Sequence, residues 1–200
     1  MKALVTTMMS PLSVFVARRL KSLGFSVTAI DSSKEAYGFY SNGVDKRVIV
    51  PSLRYDPLGY AEAVINEMAT TKYDIYIPIL ECSFLMAYYR DIVSKYTRMI
   101  SMPYETITTI HNKDNVVDYT ARADIPTPET FSPPTIEAAQ EICLQIDYPV
   151  IIKHKIGRNA NGQRLVENPG DIFPVYRGLV EKYNLQIDLP LIQRFIRHGN

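Results

Sequence analysis

Lys153 is the residue whose surroundings point most directly to chemistry. It lies in the run 148–155, where the residues before it, Pro149 to Ile152, are all apolar. Burying an ammonium group without a compensating anion is costly, so we expect Lys153 to be partly exposed or paired. A nucleotide phosphate would be a suitable partner.

The polar segment that follows contains two glycines, Gly157 and Gly162, and two further cations, Lys155 and Arg158. A loop of this kind can lay backbone N–H groups over phosphate oxygens and can close as a lid. It lacks the Gly-Lys-Ser/Thr sequence of a P-loop, which argues against a P-loop ATPase or helicase. From the pattern alone, an edge-strand lysine followed by a hairpin turn is an equally good interpretation.

A second group of polar residues follows predicted strands in the first half of the chain. Ser10, Glu81 and Ser83 come shortly after apolar runs, where ligands of open α/β sheets bind. We predict them as substrate contacts. For Glu81 the alternative is an acid placed at a helix start, where the helix dipole favours it.

Strand and helix patterns alternate through the first hundred residues, which predicts a doubly wound parallel sheet. The predicted strands are 2–7, 25–30, 46–50, 75–80 and 98–101, and the predicted helices are 11–23, 33–40, 57–70 and 83–96. The turn at residues 7–11 contains no glycine, so the dinucleotide fingerprint of an NAD-dependent oxidoreductase is missing even though Asp31 ends the second strand.

The second half has a different, α+β pattern. We predict helices at 103–110, 113–122, 135–146 and 169–183, and strands at 148–155, 164–167 and 189–196, with 148–155 and 164–167 forming a hairpin. The predicted domains are therefore 1–102 and 103–200.

Composition excludes several classes of protein. The formal net charge is +1, with 46% hydrophobic and 22% charged residues, which gives no sign of a nucleic-acid or anionic-membrane partner. No apolar run approaches the roughly 18–20 residues that a membrane span needs, and the N-terminus reads as a strand and helix rather than a signal peptide. We expect a cytoplasmic protein.

Three segments together resemble the ATP-grasp family, which includes biotin carboxylase and the carbamoyl-phosphate synthase large chain. "YPVIIK" with the spaced glycines after it resembles the family's phosphate-binding strand and loop. "HNKDNVVDYTARADIPTPET" resembles the entry to the ATP-grasp domain, and "LPLIQRFI" resembles the strand leading to the adenine hinge. The first hundred residues resemble the pre-ATP-grasp domain.

The resemblance implies an ATP-dependent ligase that joins a small-molecule carboxylate to an amine, or acts like carbamoyl-phosphate synthase, through an acyl phosphate. It implies ATP and Mg²⁺ as cofactors, and it allows a homodimer. The implied nucleotide contacts are Lys113, Lys153, Lys155, Gly157, Gly162, Gln193, Phe195 and Ile196. Adenine is expected between residues 150–152 and the Phe195-Ile196 hinge.

The sequence also departs from the family pattern. His154 stands where proline is usual, Arg194 where glutamate is common, and the loop is poorer in glycine. The glycine-poor loop and Arg194 favour the alternative of a non-catalytic ligand- or partner-binding module with a degenerate ATP site. The Mg²⁺ ligands are expected beyond residue 200, so we assign no catalytic residue and expect the chain to be part of a longer enzyme.

Overall fold

The computed structural model describes residues 1–156, 160 and 162–197. The chain divides into two compact units, Met1–Ile107 and Thr108–Asn200. Each unit has its own sheet and its own buried core. None of the helices among these residues is long and apolar enough to span a membrane.

A five-stranded parallel sheet lies at the centre of the first unit. Its strands are β1 (Lys2–Thr6), β2 (Ser26–Asp31), β3 (Lys46–Ile49), β4 (Ile75–Ile77) and β5 (Arg98–Met99), in the order β3-β2-β1-β4-β5. The helices are α1 (Pro11–Ser22), α2 (Pro57–Thr70), α3 (Cys82–Tyr88) and α4 (Arg90–Val93), and α5 (Tyr104–His111) follows β5. The doubly wound sheet predicted from the alternating pattern is therefore confirmed.

The first two helices begin where the sequence signals place them. Ser10 caps α1 and Asp56 caps α2, each accepting a hydrogen bond from a backbone N–H of the first turn. Pro11 and Pro57 occupy the first helical positions, where a missing N–H costs nothing.

Two predicted helices of the first unit are wrong in extent. The segment 33–40 forms only a 3₁₀ turn, Tyr37–Tyr40, because Gly38 packs against the loop after β1. Its N–H donates to the Met8 carbonyl at 3.1 Å, and a Cβ on Gly38 would lie 2.5 Å from that oxygen. The segment 83–96 divides at Tyr89 into α3 and α4.

An antiparallel sheet forms the second unit. Its strands are β6 (Thr130–Phe131), β7 (Val150–Lys153), β8 (Gln163–Val166) and β9 (Leu191–Arg194), in the order β6-β9-β7-β8. The helices are α6 (Lys113–Arg122), α7 (Ile136–Gln145) and α8 (Ile172–Tyr183). The predicted β7–β8 hairpin is confirmed, whereas β6, which follows a proline-rich segment, was not predicted.

The two faces of this sheet differ in character. Val150, Ile152 and Ile192 are completely buried in a core shared with α7 and α8. Because side chains alternate along a strand, the residues between them lie on the opposite face. We call this second face, which carries Thr130, Ile151, Lys153, Leu191 and Gln193, the Lys153 face.

Candidate functional site

A row of hydrogen-bonded side chains crosses β7, β9 and β6 on the Lys153 face. The Lys153 ammonium donates to Oε1 of Gln193 at 2.5 Å, and Nε2 of Gln193 donates to the Thr130 hydroxyl at 2.7 Å. The Thr130 hydroxyl in turn donates to the Pro128 carbonyl at 2.8 Å. The row connects three segments that are far apart in sequence, so it exists only once the sheet has formed.

Lys113 is placed beside this row by the start of α6. Asn112 caps the helix by accepting from the Asp114 N–H at 3.0 Å. The backbone N–H and the ammonium group of Lys113 both donate to the Lys155 carbonyl, at 3.0 Å and 3.2 Å. The start of α6 is thereby fixed to the chain that leaves β7.

Lys113, Lys153 and Gln193 line one cavity of about 190 Å³. The other lining residues are mainly apolar: Val116, Val117, Thr120, Thr127, Pro128 and Leu191. A cavity of about 150 Å³ is large enough for benzene, so this one has room for a planar heterocycle. Two lysines in a mainly apolar lining suit a ligand that has an anionic group and an apolar ring.

Both cavity lysines have a lowered pKa. Burial lowers the pKa of Lys153, and burial together with the charge of Lys153 lowers the pKa of Lys113. Concentrated positive charge in a partly desolvated site produces shifts in this direction, and an anion bound between the two groups would oppose them.

Lys155 has a different setting from the other two lysines. Its ammonium group lies 2.6 Å from Oδ2 of Asp114, which also accepts from the Ser132 hydroxyl at 2.8 Å, and 4.0 Å from Oδ1 of Asp188. Lys155 is not among the described residues that line the cavity. Its charge is thus used in joining α6 to the segments after β6 and before β9.

Gly162 has a steric reason to be glycine. It has a φ of +70°, and its carbonyl accepts from the His154 N–H at 3.3 Å. A Cβ at this position would lie 2.3 Å from Cε1 of His154, whose ring packs edge-on against Tyr183 with centroids 4.5 Å apart. The other predicted loop glycine, Gly157, lies outside the described residues, as does Arg158.

The residues of the predicted adenine slot do not share one face of the sheet. Only Ile151 of residues 150–152 lies on the Lys153 face, since Val150 and Ile152 are buried in the core on the other side. Phe195 uses its N–H to extend the sheet, donating to the Pro149 carbonyl at 2.9 Å, and the Ile196 side chain is exposed. Leu191 therefore supplies an apolar wall that the sequence analysis did not assign.

The predicted substrate residues of the first unit differ in their surroundings. The Ser10 side chain caps α1, and the Ser83 hydroxyl donates to the Leu80 carbonyl at 2.6 Å. Glu81 lines a separate cavity of about 530 Å³, whose other walls are almost entirely apolar and aromatic. The lining is Leu53, Pro57, Leu58, Glu81, Phe84, Leu85, Tyr88, Tyr89 and Tyr104.

Asp31 has a local structural role. Its carboxylate accepts from the N–H groups of Met9 and Ser33 at 3.1 Å and 3.0 Å. It thus holds the loops after β1 and β2 together.

Sequence reasoning missed Thr130 and the apolar residues of the cavity. One signal was present for α6: Lys113, Val116, Val117 and Thr120 have the spacing of a single helix face. Thr130 had no such signal, because it lies in a two-residue strand after a proline-rich segment.

No protein-family model and no curated protein matches the chain. Solved structures do match. The biotin carboxylase domain dimer of 2-oxoglutarate carboxylase from Hydrogenobacter thermophilus, in complex with MgADP, ADP and bicarbonate, has a TM-score of 0.73 and 20% identity over 98% of this chain and 44% of its own.

Two other solved structures have similar scores. L-amino acid ligase from Bacillus licheniformis has a TM-score of 0.71 and 17% identity over 98% of this chain and 44% of its own. The N5-carboxyaminoimidazole synthetase of Staphylococcus aureus with ADP has a TM-score of 0.73 and 15% identity over 99% of this chain and 48% of its own.

The chain thus spans about half the length of these structures. All three are ATP-grasp enzymes, and the superposition covers nearly the whole of this chain, including both units. The resemblance inferred from the sequence is confirmed as a likeness of fold: this chain has the fold of the N-terminal part of ATP-grasp enzymes.

Proposed function

We propose that the protein takes part in an ATP-dependent ligation of a carboxylate to an amine, and that its second unit binds the ATP. The observation that carries this proposal is the convergence of Lys113 and Lys153 on a cavity whose remaining walls are mostly apolar. In this fold, such a cavity suits a nucleotide, with the base against the aliphatic side chains and the phosphates against the cations.

The nucleotide contacts expected from the sequence have defined parts in the proposal. Lys113 and Lys153 contact the α- and β-phosphates, while Gln193 and the Phe195-Ile196 segment contact the base. The loop that contains Gly162 is assigned to the triphosphate, and its other glycine, Gly157, lies outside the described residues. We give Lys155 a supporting part only, because its ammonium group is paired with Asp114.

The proposed reaction has two steps. A carboxylate oxygen attacks the γ-phosphorus, the bond to the bridging oxygen breaks, and ADP leaves with that electron pair. The amine nitrogen then attacks the acyl carbon, phosphate leaves, and the nitrogen loses a proton. The lysines stabilise charge on the phosphates, and catalysis rests on positioning and electrostatics.

The nucleotide is proposed to bind with Mg²⁺, which neutralises phosphate charge. Among the described residues there is no group of three or more His, Cys, Asp or Glu side chains able to hold a metal ion. We therefore assign no residue of this chain to the metal.

The substrates are proposed to be small molecules. In the first unit, Glu81 is assigned as a substrate contact because it lines a cavity, whereas the side chains of Ser10 and Ser83 make local hydrogen bonds. The domain limits 1–102 and 103–200, the cytoplasmic location and a homodimer remain part of the proposal. The solved Hydrogenobacter biotin carboxylase domain is a dimer.

A second candidate is a non-catalytic module with a degenerate ATP site. One observation favours it: the Lys155 charge, expected at the phosphates, is used in an ion pair. The two candidates differ in whether the cavity binds nucleotide at all.

The test is calorimetric binding of MgADP to the wild-type chain and to Lys153→Ala. We expect Lys153→Ala to weaken binding at least tenfold, about 1.4 kcal/mol, because a charge-assisted phosphate contact is lost. Lys182→Ala is the matched control, since it removes an exposed lysine of α8 in the same unit. Equal affinities for MgADP in the wild type and Lys153→Ala would remove the site assignment, and a wild type that binds no MgADP would favour the non-catalytic module.

A further inference from the structure

The orientation of the Gln193 amide is fixed by its neighbours. A side-chain amide has a donor end and an acceptor end that differ little in shape, so its orientation depends on its hydrogen-bond partners. On β9, Gln193 lies between Thr130 of β6 and Lys153 of β7. Both partners constrain it.

Thr130 can only accept from Gln193. Its hydroxyl has a single hydrogen, and that hydrogen is directed to the Pro128 carbonyl at 2.8 Å. The 2.7 Å contact with Gln193 must therefore use a lone pair of the hydroxyl and an N–H of the amide. The nitrogen end of Gln193 is thus held against β6.

The oxygen end of Gln193 consequently points away from β6 and toward Lys153 of β7. It accepts from the Lys153 ammonium at 2.5 Å, and both residues line the cavity. Lys153 is a donor only, so it requires the same orientation. A bound polyphosphate would compete for Lys153, and Thr130 would then be the constraint that remains.

We propose that Thr130 is a positioning residue that sets the base selectivity of the nucleotide site through Gln193. The inference rests on the proposed function, since it needs a nucleotide in this cavity. A carbonyl oxygen presented to the base accepts from an exocyclic amino group, which adenine has, and opposes the carbonyl oxygen that guanine has at the equivalent position. Thr130 therefore makes the site prefer adenine nucleotides over guanine nucleotides.

The experiment measures the dissociation constants of MgADP and MgGDP for the wild type, Thr130→Val and Thr130→Ser. Valine has nearly the shape of threonine but no hydroxyl, so the amide becomes free to turn over. We expect the preference for ADP over GDP to fall about tenfold in Thr130→Val, the scale of one hydrogen bond. Thr130→Ser keeps the hydroxyl and should restore the preference.

Two checks separate this effect from a general loss of structure. Circular dichroism and the melting temperature report whether Thr130→Val still folds, and Thr130→Ala, which also removes the hydroxyl, replaces it in the same measurement if it does not. Thr70→Val removes a threonine hydroxyl that is hydrogen-bonded within α2 of the first unit, and it should leave the ADP-to-GDP ratio unchanged.

The outcomes are distinct. A lower ratio in Thr130→Val that Thr130→Ser restores supports the proposal. An unchanged ratio in folded Thr130→Val overturns it while leaving nucleotide binding intact. Similar losses of ratio in Thr130→Val and Thr130→Ser also overturn it, because the hydroxyl is then not responsible. A wild type that binds neither nucleotide overturns the proposed function and this inference with it.

Discussion

Lys113 and Lys153 bring two ammonium groups to one small cavity, and burial lowers the pKa of each. As pH rises, the lowered pKa values of these lysines change the stability of the fold and the affinity for an anionic ligand in opposite directions. Between the lowered pKa and the ordinary value of 10.5, the unfolded chain binds more protons than the folded chain, so these groups favour folding more as pH rises. An anionic ligand prefers the protonated lysines, so its affinity should fall over the same range.

This gives a pH prediction for the site. The affinity for MgADP should decline as pH rises towards 10.5, starting below the pH at which an ordinary lysine titrates. Binding in that range should take up protons, because the phosphates return the lysine pKa values towards normal. Calorimetry in two buffers with different ionisation enthalpies measures the uptake, and an affinity that is constant up to pH 10.5 would contradict the prediction.

At the scale of elements, the β7–β8 hairpin contains a contact between the residue that follows β7 and the residue that precedes β8. His154 leaves β7 and Gly162 enters β8, and the imidazole occupies the space that a side chain on residue 162 would need. The histidine at position 154, where proline is usual in the family, therefore restricts the size of the residue at position 162. Any larger residue at 162 must displace the ring from Tyr183.

We expect Gly162→Ala to destabilise the protein. The positive φ alone costs an L-residue about 1–2 kcal/mol, and the contact with His154 adds to this. Urea unfolding measures the change. Gly170→Ala is the matched control, because a Cβ there meets no atom within 4 Å.

The double variant His154→Ala/Gly162→Ala separates the two contributions. Removing the ring should recover the part of the loss that comes from the contact and leave the part that comes from φ. If Gly162→Ala and Gly170→Ala shift the urea midpoint equally, the steric explanation is wrong.

Elements also show where sequence reasoning succeeds. Helix α2 was predicted with its observed ends because a capping aspartate, a proline at the first position and an apolar periodicity all agree. Helix α6 was predicted equally well. The segment 33–40 failed because its conformation depends on a long-range contact of Gly38 with Met8. Thr130 was not predicted for a similar reason, since its side chain is hydrogen-bonded to Gln193, 63 residues away.

The whole molecule consists of two units with separate cores, and the proposed nucleotide contacts all lie in the second. A ligand that binds only the native state stabilises it by about 2.7 kcal/mol at a hundredfold excess over its Kd. We therefore expect MgADP to slow hydrogen exchange about a hundredfold in the slowest peptides of the second unit.

Peptides of the first unit serve as the internal control, and their exchange should change little. Mass spectrometry measures hydrogen exchange in peptides that belong to one unit or the other. This is needed because the chain has no tryptophan whose fluorescence could report on either unit. Equal protection in both units would show that they unfold together and would contradict the prediction.

The strand order of the second sheet has a consequence for biosynthesis. β9 comes after β6, β7 and β8 in the sequence, yet it lies between β6 and β7. A nascent chain can close the β7–β8 hairpin early, because that pairing is local, but among the described strands β6 pairs only with β9 and must await its insertion. Leu191 and Gln193 arrive with β9, so the cavity is assembled only at that late step. Under the proposed function, an intermediate in which β9 is not yet inserted would therefore not bind ATP.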